Sequence, residues 1–268
     1  MTPTPERALP VRVTIPALVA GLCAMLFAVQ VPVGARLALI LGHAALAAPF
    51  LLAAFGLRLT LGEAFALRRV TGRTFLLAIL CGIGLWIGSA GLLELQYAVW
   101  PAPPQVLEFF RRLHAKLDLW PPWSGALSLF AIAVWPAIVE ELAFRGALLG
   151  SLQRLAGDTV AVAVTAGLFA VIHIVPGYYR VPFTFALGAA LGALRVRTGS
   201  VVPGIVAHAL LNATTVVVSA SLDAPDDPTA TVAAPTASVI LMAGALMAAL
   251  SSRAMRPDPR PEWVKIDE

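Results

Sequence analysis

Charge is what this chain has least of. Only 13% of its 268 residues are Asp, Glu, Lys or Arg, while 59% are hydrophobic; a soluble domain carries roughly 25% charged residues. No polar stretch is long enough to build a second, water-exposed domain, so one apolar unit is expected. Cysteine is equally scarce. The two present, Cys23 and Cys81, both lie in apolar runs, which argues against a disulfide framework or a cysteine metal site and reads them as small buried hydrophobes. A cleavable leader is not expected either: Met1–Pro10 is polar and proline-rich, and the apolar run after it is long enough to span a bilayer. The isoelectric point near 9.6 would suggest nucleic acid in a soluble protein. In a chain this apolar it reflects arginines flanking membrane spans, and no nucleic-acid partner is expected.

What the chain has in abundance is apolar runs near the ~20 residues that a crossing requires. They cover 13–33, 37–57, 75–100, 126–149, 158–175, 181–196, 201–220 and 237–250. The reading is an all-α, polytopic integral membrane protein with about eight transmembrane helices in one bundle. By composition it divides into 1–124, three spans with an interfacial segment; 125–220, the helices that carry the unusual polar residues; and 221–268, a loop, a last span and a charged tail. Arg58–Arg73 reads as a polar loop. Between Pro101 and Trp123 the pattern breaks, and Val106–Leu117 reads as a short amphipathic helix lying at the interface, with His114 on its polar face. His43, inside the second run, reads as a buried or headgroup-facing histidine. Gly188 and Gly192 form a GxxxG that suits close packing within the bundle better than a dimer seam. With eight spans and an inner N-terminus, most arginines fall on the inner side, leaving Arg36, Arg111, Arg112, Lys116 and Arg180 outside together with the acidic Asp223, Asp226 and Asp227. The expected location is a cell membrane, bacterial and cytoplasmic, with both termini inside.

Within this apolar background, Pro136-Ala-Ile-Val-Glu140-Glu141-Leu-Ala-Phe-Arg145 stands out. An ionised side chain at the bilayer centre costs about 2.5–3.5 kcal/mol on insertion scales, so three in six residues need partners. Glu141 and Arg145 are four apart and share a helix face, where an ion pair neutralises both. Glu140 lies about 100° around the helix and is left to face the bundle centre. Pro136 frees a backbone carbonyl and can kink this span. Phe169 and His173 are also four apart, as are His208 and Asn212. At 1.5 Å per residue, Glu140 lies ~18 Å from the inner boundary, His173 ~21 Å, His208 ~11 Å and Asn212 ~17 Å. Three antiparallel spans thus bring these residues to overlapping depths.

A carboxylate and an imidazole around one water form a general-base unit, and a histidine–asparagine pair offers N–H donors to a developing oxyanion. The parts suffice for amide hydrolysis without a serine or cysteine nucleophile. Glu140, His173 and His208 would also suit a divalent metal such as zinc, with a fourth position for water. The chain has no His-Glu-x-x-His, and these ligands come from three spans. The metal-free version is preferred, with no cofactor required.

These three patterns, Glu140-Glu141-Leu-Ala-Phe-Arg145, Phe169-Ala-Val-Ile-His173 and His208-Ala-Leu-Leu-Asn212, resemble the EExxxR, FxxxH and HxxxN motifs of the CPBP family. These are the CAAX proteases and bacteriocin-processing enzymes, also called Abi, which are intramembrane endopeptidases. The resemblance spans 126–219. It implies an eight-helix fold and a protease of the CAAX prenyl protease 2 type, either glutamate-dependent or metallo-endopeptidase. Carried over by position, Glu140 and His173 activate water, His208 and Asn212 hold the oxyanion, and Glu141, Arg145 and Phe169 support them. The implied partner is a membrane-associated protein or peptide substrate in the lipid bilayer; no oligomeric state follows. Two rival readings are a non-catalytic immunity or scaffold protein of the same family and a proton-coupled transporter, since buried Glu and His also form proton relays.

Overall fold

The structure is a computed structural model that describes residues 8–115, 122–174, 177–221 and 233–255. The acidic loop around Asp223, the tail beyond Met255 and the His114 side chain lie outside the described residues. Among the described residues there is no strand, and each of the eight apolar runs holds a helical rod. Helices α1 (Val11–Ala28) and α2 (Ala35–Gly56) form a hairpin, and α4 (Gly72–Val99) is the third rod. The fourth begins with α6 (Pro122–Leu129) and α7 (Trp135–Glu140) and continues into α8 (Leu149–Ile172). Within α8, Gly157 leaves helical geometry at φ 76, ψ 175 and separates the fourth rod from the fifth. Helices α9 (Val181–Thr198), α10 (Val202–Ser221) and α11 (Ala234–Ala254) complete the bundle. By length and composition Val11–Ala28, Ala35–Gly56, Gly72–Val99, the continuous Pro122–Ile172 and Ala234–Ala254 can cross a membrane; a shorter apolar helix covers Val202–Val218. The outer surface is apolar as well: Phe27, Leu52, Phe55 and Met242 are all largely exposed. A bundle apolar both inside and out is built for lipid, not water.

Small residues set the closest approaches. Gly188 and Gly192 of α9 meet Ala166 and Val162 of α8, where an added Cβ would lie 3.0 Å from Ala166 Cα. This GxxxG therefore packs within the chain. A tighter seam joins α4 to α11 through Gly84, Gly88 and Gly91 on one side and Gly244 on the other. A Cβ on Gly244 would sit 2.1 Å from the Gly88 backbone nitrogen. Backbone cannot move aside as a side chain can, so Gly244→Ala is expected to cost at the upper end of about 1–3 kcal/mol for overpacking. Gly167→Ala is the control: it meets nothing within 4 Å and is expected to be neutral or to stabilise by up to about 1 kcal/mol. Thermal unfolding in detergent reads both.

Three expectations need correcting. The stretch read as the loop Arg58–Arg73 contains α3 (Leu61–Phe65), started by a capping box in which Thr60 and Glu63 satisfy each other's backbone N–H. It buries Phe65 under Gly146, whose Cβ would meet Phe65 O at 2.6 Å. The loop is then pinned by Val201 N–H donating to Ala66 O (3.1 Å) and Ser200 Oγ donating to Arg68 O (2.9 Å). Cys23 is exposed, not buried, because α1 packs through Thr14, Ala17, Leu18 and Gly21 and leaves Cys23 on its outer side. The fifth rod ends at Ile172, so His173 caps it instead of lying inside it. The amphipathic segment forms as α5 (Pro104–Ala115). Its Val106 packs with Ala102 and Tyr179, while Trp100 stacks on Tyr178 and meets Tyr179 edge-on, an aromatic cluster at one end of the bundle.

Candidate active site

The fourth rod is not a regular α-helix. A π turn at Phe130–Val134 precedes α7, and a second π stretch covers Glu141–Leu148. In the first, the Trp135 N–H reaches back five residues to Phe130 O; the widened turn directly precedes Pro136, which has no N–H to give. Glu140 and Glu141 straddle the start of the second. The rod is tied to α2 by the Trp135 indole, which donates to Ile40 O at 3.0 Å, and by Arg36, which donates to Ser128 Oγ at 2.9 Å.

Four side chains meet at Glu140. His173 Nε2 and His208 Nε2 each lie 3.9 Å from Glu140 Oε2. That is too long for a hydrogen bond and short enough for one water to touch both atoms of either pair. The fourth side chain is His43, whose Nε2 lies 3.2 Å from Glu140 Oε1. Sequence reasoning read His43 as an ordinary buried or interfacial histidine and left it out of the site. The signal was there: His43 lies ~9 Å from the outer start of its run, and Glu140 ~12 Å from the same side of a ~30 Å core.

The other ring nitrogens fix the tautomers. His173 Nδ1 lies 2.7 Å from Phe169 O, and His43 Nδ1 lies 2.8 Å from Leu39 O. A carbonyl only accepts, so each Nδ1 carries hydrogen and donates, leaving Nε2 with its lone pair in the neutral ring. His208 Nδ1 donates to the Glu141 carboxylate, 3.1 Å away at Oε1. Its Nε2 is therefore a donor only when the ring is an imidazolium.

Behind this layer Arg145 donates to Glu141 Oε1 (2.8 Å) and to Gly188 O (3.2 Å), with both charged side chains fully buried. Its guanidinium also sits 4.3 Å over the Phe169 ring. Phe169 in turn packs against His173 at 4.4 Å and His208 edge-on at 6.0 Å. Gly204 of α10 leaves room for the Glu141 carboxylate, since a Cβ there would lie 2.9 Å from Oε2. Asn212 follows His208 by one turn of α10 and is half-buried; among the described residues, none of the site's hydrogen bonds involves it. Of the residues singled out from sequence, Glu140, Glu141, Arg145, Phe169, His173 and His208 are thus brought together, while Asn212 is placed only by its position four residues after His208 on α10.

The donor types of Glu140, His173 and His208 are those of zinc sites, and the two imidazoles are held through Nδ1 as second-sphere bonds hold zinc-bound histidines. The spacing is not: among the described residues no three His, Cys, Asp or Glu side chains group closely enough to hold a metal ion.

No curated protein and no solved structure is similar enough to count as a match. Residues 121–214 match the family described as type II CAAX prenyl endopeptidase Rce1-like. That segment, about a third of the chain, carries every clustered residue except His43, and the match is consistent with the CPBP family of CAAX proteases.

Proposed function

We propose that this protein is an intramembrane endopeptidase that hydrolyses a peptide bond of a membrane-associated protein or peptide, without a required metal. The family match supports a CAAX-type membrane protease in general; the residue roles are our reading. The observation that carries it is Glu140 Oε2 standing 3.9 Å from two imidazole Nε2 atoms in an otherwise apolar bundle. Glu140 Oε2 and His173 Nε2 are both acceptors. A water between them gives each one hydrogen, which points its free lone pairs at an incoming carbonyl. As the water attacks, its proton passes to Glu140. The oxygen of the carbonyl gains charge and is held by the Asn212 amide and by His208 as imidazolium. The proton then moves from Glu140 to the leaving amine. We place both termini on the cytoplasmic side of a bacterial membrane, from the arginine distribution.

The test compares membrane-protein termini in cells carrying wild-type or Glu140→Gln protein at equal abundance. New termini that depend on Glu140 are expected. Identical termini in both would overturn the protease reading and leave an immunity or scaffold role. Purified enzyme is expected to keep its full rate after chelator treatment; loss of activity restored by added zinc would overturn the metal-free route.

A further inference from the structure

The Glu140 carboxylate is not used symmetrically. Oε2 stands 3.9 Å from the Nε2 atoms of His173 and His208, whereas Oε1 is in direct contact with His43 at 3.2 Å. Both partners in that contact are buried. His43 cannot turn to avoid it, because Nδ1 is spent on Leu39 O one helical turn back. Two bare acceptors do not sit at 3.2 Å, and Glu140 works as a base only when ionised, so the proton in this contact is one that a His43 imidazolium donates. Glu140 is the charged group that faces His43 in this contact, and α2 is held against the fourth rod along the turns that lead up to it, by Arg36–Ser128 and Trp135–Ile40. A rigid clamp thus ends in the one imidazole on the far side of the carboxylate.

We infer that His43 is a positioning residue that pins Glu140 Oε1, so that Oε2 alone is presented to the attacking water. The inference rests on the proposed protease activity and deepens it, adding to the site a residue from outside 121–214. Without the pin, the carboxylate can rotate about its last bond and accept directly from the His208 imidazolium, filling the space that the water needs. His173 and the donors at His208 and Asn212 are not moved by the change, so substrate binding should be untouched.

The side-chain lengths supply the test. A glutamine amide nitrogen stands as many bonds from Cα as His Nε2 and can still donate to Glu140. An asparagine amide nitrogen stands where Nδ1 does, so it reaches Leu39 O but not Glu140. Both replacements are polar and smaller than or similar to histidine. With a peptide spanning a cleavage site found in the termini comparison, His43→Asn is expected to lower kcat roughly 10- to 100-fold with KM unchanged, the scale of a reacting group misplaced by about 1 Å. His43→Gln should recover most of the rate. Equal, wild-type rates for both variants would overturn the inference, as would equally low rates in two proteins that unfold at the wild-type temperature. A second readout needs no turnover: the carboxylate stretch of Glu140, assigned in infrared spectra by its loss in Glu140→Gln, should shift in His43→Asn and not in His43→Gln. If Glu140→Gln leaves the cellular termini unchanged, the protease reading has failed, while the infrared shift still decides whether His43 holds Glu140.

Discussion

Replacing Glu140 with glutamine is expected to slow peptide-bond cleavage by about 10²–10⁴-fold while the protein still folds. Glutamine keeps the volume and can donate to an imidazole Nε2, so the contact to His43 survives in a neutral form. What it lacks is the lone pair that takes the proton from water. Because the variant also removes an ionised group from an apolar bundle, its unfolding temperature should equal or exceed that of wild type. Purified protein in detergent and a peptide bearing a mapped cleavage site would give both numbers. A glutamine variant with wild-type turnover would leave the water without a base, since His173 would then have to act alone.

The largest expected loss of stability belongs to Arg145→Ala. The guanidinium and the Glu141 carboxylate are both fully buried, and the arginine also holds Gly188 O of α9. Removing it strands a carboxylate whose remaining partner is His208. Breaking a buried pair from one side costs about 3–5 kcal/mol, and a large drop in unfolding temperature should follow. The double variant Glu141→Leu/Arg145→Leu separates two roles. An apolar pair of similar size can replace a buried ion pair at little cost, so much of the stability should return. Activity should not, because His208 Nδ1 loses the acceptor that fixes its tautomer. Arg145→Lys should fall between, since one ammonium cannot reach both Glu141 and Gly188 O as a planar fork does.

The meeting of Glu140, His173 and His208 was readable in the sequence because depth along a helix is simple arithmetic once span ends are placed. The pairing of Glu141 with Arg145 followed from their four-residue separation. His43 obeyed the same arithmetic, yet a single histidine with no motif around it looks like any other, and only its neighbours give it meaning. The π stretch at Glu141–Leu148 left no mark, since the hydrophobic pattern does not change when one turn widens. Thr60-Leu-Gly-Glu63 did carry a capping-box signature; the arginines around it drew attention to a loop instead. The glycines of α4 were visible as small residues, but which helix they would receive is a fact of three dimensions. Cys23 was misread for a related reason: in a membrane protein an apolar run does not say which side is inside.

The clasp between α4 and α11 has a bearing on how the protein is made. The two helices lie far apart in the chain, and α11 leaves the ribosome after every helix that carries the polar cluster. Until it arrives, the ridge of bare backbone at Gly84, Gly88 and Gly91 faces lipid or the translocation machinery with nothing seated on it. The helices that carry the polar cluster are all synthesised earlier, so the working parts can assemble before this ridge of α4 has its neighbour. Chains cut short after α10 should therefore be cleared by cellular quality control even though every residue of the cluster has already been translated.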